Sequence, residues 1–144
     1  MLKADRPEGP FLLAGRNSIS SHSLDGFDQS CIAPDIDGEP FVDDDGTAYL
    51  FWRRRMAARM TDDWQHLTGD TVVMSTARQG YSEGPVMFKR KGIYYYIYTL
   101  RGNQNYVNAY MMRRQSPLSG FEKPEGYDIF LFSSIADNVW GPGH

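Results

Sequence analysis

Three pairs of residues repeat at a single offset, and that offset restricts the fold more than anything else in the chain. Gly46 and Gly92, Tyr49 and Tyr95, and Asp37 and Glu83 each stand 46 residues apart, close to the roughly 40–50 residues of a four-stranded propeller blade. Each set contains a hairpin signature. Glu39-Pro40-Phe41-Val42 and Ala48-Tyr49-Leu50-Phe51-Trp52 flank Asp43-Asp44-Asp45-Gly46, whose Asp-Gly pair supplies the positive φ of a tight turn. Val86–Phe88 and Ile93–Tyr98 flank Arg90-Lys91-Gly92 in the same way. Met56–Met60 and Thr71–Met74 extend the first set, Val107–Met112 and Ile129–Phe132 the second, and no amphipathic helical period stands out. The expected class is all-β, with antiparallel four-stranded β-propeller blades. A β-sandwich also contains hairpins of this kind; a glycine, an aromatic and an acid sharing one offset favour the propeller.

The expected organisation is one partial propeller domain over residues 1–144. Residues 1–33 read as the end of one blade and a polar, Ser-rich connecting loop, 34–79 as the blade carrying Asp37, 80–135 as the blade carrying Glu83, and 136–144 as the start of the next. At about 45 residues per blade, such a chain holds about three. Exposed blade faces and edge strands are then left over, so self-association is expected.

Composition narrows the partners. Hydrophobic residues make up 41% and charged residues 23%, and the three Trp, nine Tyr and eight Phe suit both β structure and flat sugar faces. A net charge of −3 argues against a nucleic-acid partner. Arg53-Arg54-Arg55 is short of the five to eight residues of a basic patch and reads as a solvated strand end. Cys31 is the single cysteine, so no intrachain disulfide forms and the compartment is left open. No run reaches the roughly 18 apolar residues of a membrane span, so no membrane partner is expected, and MLKADRPEGPFLLAG lacks the continuous apolar region of a signal peptide. An upstream leader on a longer protein would lie outside this sequence.

Asp37 and Glu83 carry the chemistry. The first strand of every propeller blade lines the central axis, so acids at the entrance of consecutive inner strands converge on one end of the channel. Paired carboxylates are what glycosidic cleavage uses, one to protonate the departing oxygen and another to activate water or tune the donor. Three other readings are weaker. Gly80-Tyr81-Ser82-Glu83-Gly84 matches the Gly-x-Ser-x-Gly nucleophile elbow, but a strand rather than a helix follows Ser82. Asp43-Asp44-Asp45-Gly46 falls short of an EF-hand loop, which would start on Phe41 and end on Trp52 where a glutamate is needed. A lone acid would otherwise cap a turn or pair with an arginine.

The strings Ile36-Asp37-Gly38-Glu39-Pro40-Phe41-Val42-Asp43-Asp44-Asp45-Gly46-Thr47-Ala48-Tyr49-Leu50, Ser82-Glu83-Gly84-Pro85 with Lys89-Arg90-Lys91-Gly92-Ile93-Tyr94-Tyr95, and Gly141-Pro142-Gly143-His144 resemble glycoside hydrolase family 43, in the family's order. Pro7-Glu8-Gly9-Pro10-Phe11 and Ser116-Pro117-Leu118-Ser119-Gly120-Phe121 resemble its blade-ending segments. The resemblance implies a five-bladed propeller that hydrolyses xylosides or arabinosides of plant polysaccharides with inversion. It makes Glu83 the general acid and Asp37 the carboxylate that tunes and orients it. It also makes His144 a residue near the axis that helps hold calcium or its water shell. Three positions depart from the pattern. Gly38 replaces a proline, and Met111-Met112-Arg113-Arg114 stands where small residues and a serine are common. The third is the general base: the family's first-blade Asp-Pro motif has no match before Asp37, and Asp5, Asp25, Asp28 and Asp35 lack its context. An internal segment of the enzyme is therefore expected, with a non-catalytic carbohydrate-binding or assembly module as the alternative.

Overall fold

A computed structural model describes residues 2–10, 12–13, 32–33, 35–101, 106–134 and 136–141. No helix occurs among them. Two short strands, β1 (Leu2–Lys3) and β2 (Leu12–Leu13), pair antiparallel, and two four-stranded antiparallel sheets follow. The first runs in the order β3 (Glu39–Val42), β4 (Ala48–Trp52), β5 (Met56–Met60), β6 (Leu67–Val73). The second contains β7 (Tyr81–Arg90), β8 (Ile93–Arg101), β9 (Tyr106–Arg113) and β10 (Ile129–Leu131), with β7 and β10 at its edges. Each sheet is a meander of one blade, and β7 packs against β3 and β4 of its neighbour. The fold is that of adjacent β-propeller blades, as the repeat implies.

The two hairpins share an offset but not a turn. In the first, the Asp43 N–H donates to the Thr47 carbonyl (2.9 Å) and the Gly46 N–H to the Asp43 carbonyl (3.0 Å), which leaves a three-residue loop closed by Gly46 at φ 84°. In the second, Lys91 (φ 50°) and Gly92 (φ 72°) make a two-residue turn between the paired Arg90 and Ile93. That turn is one residue shorter. Tyr49 consequently faces Phe41 across its hairpin, whereas Tyr95 faces Phe88, 47 positions further on. A register shift between Glu83 and Val86 takes up the difference, so the acid returns to the 46-residue spacing.

Packing follows the strand period. On β8 the even positions Tyr94, Tyr96, Tyr98 and Leu100 point into a core shared with Phe41, Phe51 and Ala57 of the first sheet and with Met74 just after it. The run Ala48-Tyr49-Leu50-Phe51-Trp52 is apolar without alternation because β4 buries both faces. Leu50 and Trp52 enter a second cluster with Ala48, Ala58 and Met60. A polar clip joins the hairpin tips at the far end of the inner strands. Lys89 Nζ lies 2.7 Å from Asp43 Oδ1 and 2.8 Å from Asp44 Oδ2, and the Tyr94 hydroxyl donates to Asp43 Oδ2 (2.5 Å). Burial raises the Asp43 carboxyl, but the hydrogen bonds from Lys89, Tyr94 and the Asp44 N–H outweigh it and hold that carboxyl below its ordinary range. The acidic loop thus grips a lysine.

The outer face of the second sheet has no such cover among the described residues. Phe88 stacks on Tyr95 (4.9 Å between ring centres), Tyr95 meets Tyr110 (6.3 Å) and Tyr110 meets Phe130 (6.2 Å), a continuous aromatic row across all four strands. Phe88 and Phe130 are 39% and 51% exposed. Surfaces of this kind associate. Sedimentation of the chain should show concentration-dependent self-association, and Phe130→Lys should shift it toward monomer; a compact monomer at high concentration would count against an uncovered blade face.

Candidate active site

Asp37 stands two residues before β3, at the entrance to an edge strand of the first sheet. Next to it the Arg53 N–H donates to the Ile36 carbonyl (3.1 Å), which ties this entrance to the end of β4. Asp37 itself has φ 62°, a left-handed conformation that few non-glycine residues adopt and that recurs at ligand sites. Gly38, where the family pattern has proline, has room for a side chain: an added Cβ would meet Leu50 Cδ1 at 3.6 Å. The departure is not forced by packing.

Glu83 lies inside β7 rather than ahead of it, paired with Thr99 and flanked by register irregularities on both sides. Gly84 (φ 64°) makes the local kink, and Pro85 is tolerated because β7 is an edge strand whose N–H is not needed there. The strand continues through Ser82, so the strand-to-helix elbow of a serine hydrolase is absent.

The structure brings the two acids together. The Gly84 N–H points at Asp37 Oδ2 at 3.4 Å, so the Asp37 carboxylate touches the backbone immediately after Glu83. Both acids are half-buried at the same end of neighbouring inner strands. Behind Glu83 the ladder places Thr99 and Asn108 in line across β8 and β9. Both are buried. Asn108 Nδ2 donates to Thr99 Oγ1 (3.2 Å), while Asn108 Oδ1 is buried with no hydrogen-bond partner among the described residues. The sequence reading passes over this pair, since a threonine and an asparagine inside a strand look like solvent-facing positions; only the three-strand register shows them stacked behind the acid.

The remaining candidates fall elsewhere. His144 and Cys31 lie outside the described residues, as does most of the loop over 17–33. Among the described residues, no group of three or more His, Cys, Asp or Glu side chains gathers to hold a metal ion, so no ligand set for calcium is assigned. Asp35 is engaged by Arg54 (3.0 Å) and Arg53 (3.9 Å).

Comparison with known proteins agrees with the blade fold. The family model for glycosyl hydrolases family 43 matches residues 1–144. A beta-D-galactofuranosidase, xynD, of Aspergillus niger is 31% identical over 95% of the chain. A solved glycoside hydrolase is 45% identical over 99% of the chain with a TM-score of 0.88, and a thermostable family-43 glycoside hydrolase is 25% identical over 76% with a TM-score of 0.62. The chain spans 41% of the curated relative and 33% and 42% of the two solved structures. With the repeat, the two blades and the paired acids in place, the chain belongs to glycosyl hydrolases family 43.

Proposed function

We propose that this chain is the acid-bearing part of an inverting glycoside hydrolase acting on pentose-containing polysaccharides, with Glu83 as general acid. The observation that carries the reading is the 3.4 Å contact between Asp37 and the Gly84 N–H, which holds a second carboxylate against the backbone that follows Glu83. Glu83 donates its proton to the departing glycosidic oxygen. Asp37 tunes and orients it, held in place by the kinked backbone at Gly84. Thr99 and Asn108 are positioning residues behind the acid, and water at the unpartnered Asn108 Oδ1 would complete their hydrogen bonds.

The base that activates the attacking water is not matched by any aspartate of this sequence, so the isolated chain is proposed to bind sugar and to hydrolyse aryl pentosides at background. General acid–base help is worth about 10²–10⁴-fold per group, and an inverting reaction needs water activated on the opposite face. A second reading rests on the curated relative, which is named for a galactofuranoside: the glycone would be a hexofuranose. A chimera in which residues 1–144 replace the corresponding third of the 45% identical glycoside hydrolase separates these readings. It should release nitrophenol from a β-xyloside or α-L-arabinofuranoside, with product of inverted anomeric configuration by proton NMR. Faster turnover of the β-D-galactofuranoside selects the second reading. Retained configuration would overturn the mechanism.

A further inference from the structure

Beside the acid pair runs a groove of about 620 Å³ lined by Arg54, Arg55, Thr76, Arg78, Gln79 and Tyr81. Its floor is the start of β7, two residues before Glu83. Its wall is the β4–β5 turn, at the end of the first sheet where Asp37 enters. Three guanidinium groups in one groove are unusual for a chain of net charge −3.

Two of the three are tied down. Arg78 makes a bidentate pair with Asp128, at 2.7 and 2.6 Å, and Arg54 Nε lies 3.0 Å from Asp35. Arg55 differs. It is half-buried, its Nη1 reaches only the Thr76 hydroxyl at 3.5 Å, and it has no carboxylate partner among the described residues. A half-buried cation without a counter-ion favours an incoming anion.

The backbone is arranged to hold it there. Hairpin turns with left-handed residues normally use Asn-Gly or Gly-Gly, yet this turn places Arg54 at φ 66° and Arg55 at φ 65°. Strain of that kind persists where the surroundings over-determine the conformation, and it clusters at ligand clamps. The Tyr81 hydroxyl is buried, close to the Tyr96 hydroxyl and the Arg55 backbone but without hydrogen-bonding geometry to either. The Tyr81 ring stacks on Tyr98 (6.1 Å), whose hydroxyl is likewise buried with no hydrogen-bond partner among the described residues. Burial raises the Tyr81 phenol, while Asp37 and Arg55 act on it with opposite signs, so the groove and the acid pair share this tyrosine as a border.

We infer that this groove is a subsite for an anionic sugar substituent, with Arg55 receiving the carboxylate of a uronic acid branch on the glycan. A guanidinium fork matches a carboxylate in two hydrogen bonds. The inference rests on the glycosidase reading for its glycan and on the groove alone for its charge.

Calorimetric titration of the full chain tests it with three ligands: a xylo-oligosaccharide carrying a glucuronic acid branch, the same oligosaccharide with that carboxyl reduced to an alcohol, and free glucuronate. The acidic oligosaccharide should bind about tenfold more tightly than its reduced form, the weight of one charge-assisted hydrogen bond. Arg55→Gly should erase the preference without unfolding the chain, because glycine suits φ 65°. Arg55→Lys should retain part of it. Equal affinity for the acidic and reduced sugars, a preference that survives Arg55→Gly, or free glucuronate binding as tightly as the branched sugar would each overturn the subsite. Binding of the reduced oligosaccharide without an acidic preference leaves the glycosidase reading standing. An Arg55-dependent preference in a chimera that hydrolyses no glycoside retains the subsite and overturns that reading.

Discussion

Glu83→Gln, introduced into the completed propeller, should lower kcat/KM by about 10²–10⁴-fold on natural oligosaccharides and by far less on dinitrophenyl glycosides. The two substrate classes differ in the group that departs. A sugar alkoxide is a poor leaving group and needs a proton delivered as the bond breaks, whereas a dinitrophenolate departs without help. Loss of an acid therefore appears as dependence on leaving-group quality, a signature that mere damage to folding would not produce. Asp37→Asn should also slow the reaction, since the carboxylate beside Gly84 would become an amide and lose its hold on the acid. If Glu83→Gln turns over poor-leaving-group substrates at the parental rate, Glu83 is not the acid and the assignment of the site falls.

Arg78→Ala should be among the most destabilising single changes away from the apolar core. Asp128 is buried in the second sheet's last connection, 1% exposed, and Arg78 meets both of its oxygens from the loop that joins the two sheets. Removing the arginine leaves a buried carboxylate whose remaining cationic partner among the described residues is Lys123 at 3.9 Å. The cost of removing one partner of a buried pair is about 3–5 kcal/mol, and because Arg78 is 43% exposed the lower end applies. A loss of about 3 kcal/mol should lower the melting temperature by roughly 6–12 °C at this chain length. The pair also sets an acid limb. Hydrogen bonds from Arg78 hold the Asp128 carboxyl below its ordinary range. The stability it contributes is therefore complete above the unfolded value of about 3.9 and is lost as pH falls through the depressed folded value. Thermal melts between neutral pH and pH 3 should show this loss in the parent and a smaller one in Arg78→Ala. An equal acid slope in both proteins would show that the pair is not what fails.

Where the chain alternates apolar and polar residues or carries turn chemistry, the sequence already reads as the strands that form. Glu39–Val42, Ala48–Trp52 and Met56–Met60 have the expected bounds, because each is fixed by burial on at least one face and by Gly46 or the arginine turn at its end. β6 is different. Thr71–Met74 reads as a strand, but pairing with β5 begins at Leu67, through the polar Thr68-Gly69-Asp70. That is an outer edge strand held by main-chain hydrogen bonds, which leave no hydrophobic period to read. β7 likewise starts five residues before Val86, since Glu83, Gly84 and Pro85 look like a loop until the bulge accommodates them.

The sequence by itself determined the blade repeat and the hairpin positions and singled out Asp37 and Glu83 as candidate acids, because all three are recorded in local spacing and residue type. The tertiary structure alone decided how they meet. Asp37 and Glu83 are 46 residues apart in sequence, and only blade-on-blade packing, with the register shift that offsets a turn one residue shorter, sets one carboxylate against the backbone beside the other. The same holds for Arg55. Along the chain it is the last of three arginines at a strand end; in the fold it lines a groove with no carboxylate partner among the described residues, since burial and the positions of counter-ions come from contacts between segments distant in sequence and leave no trace in the order of residues.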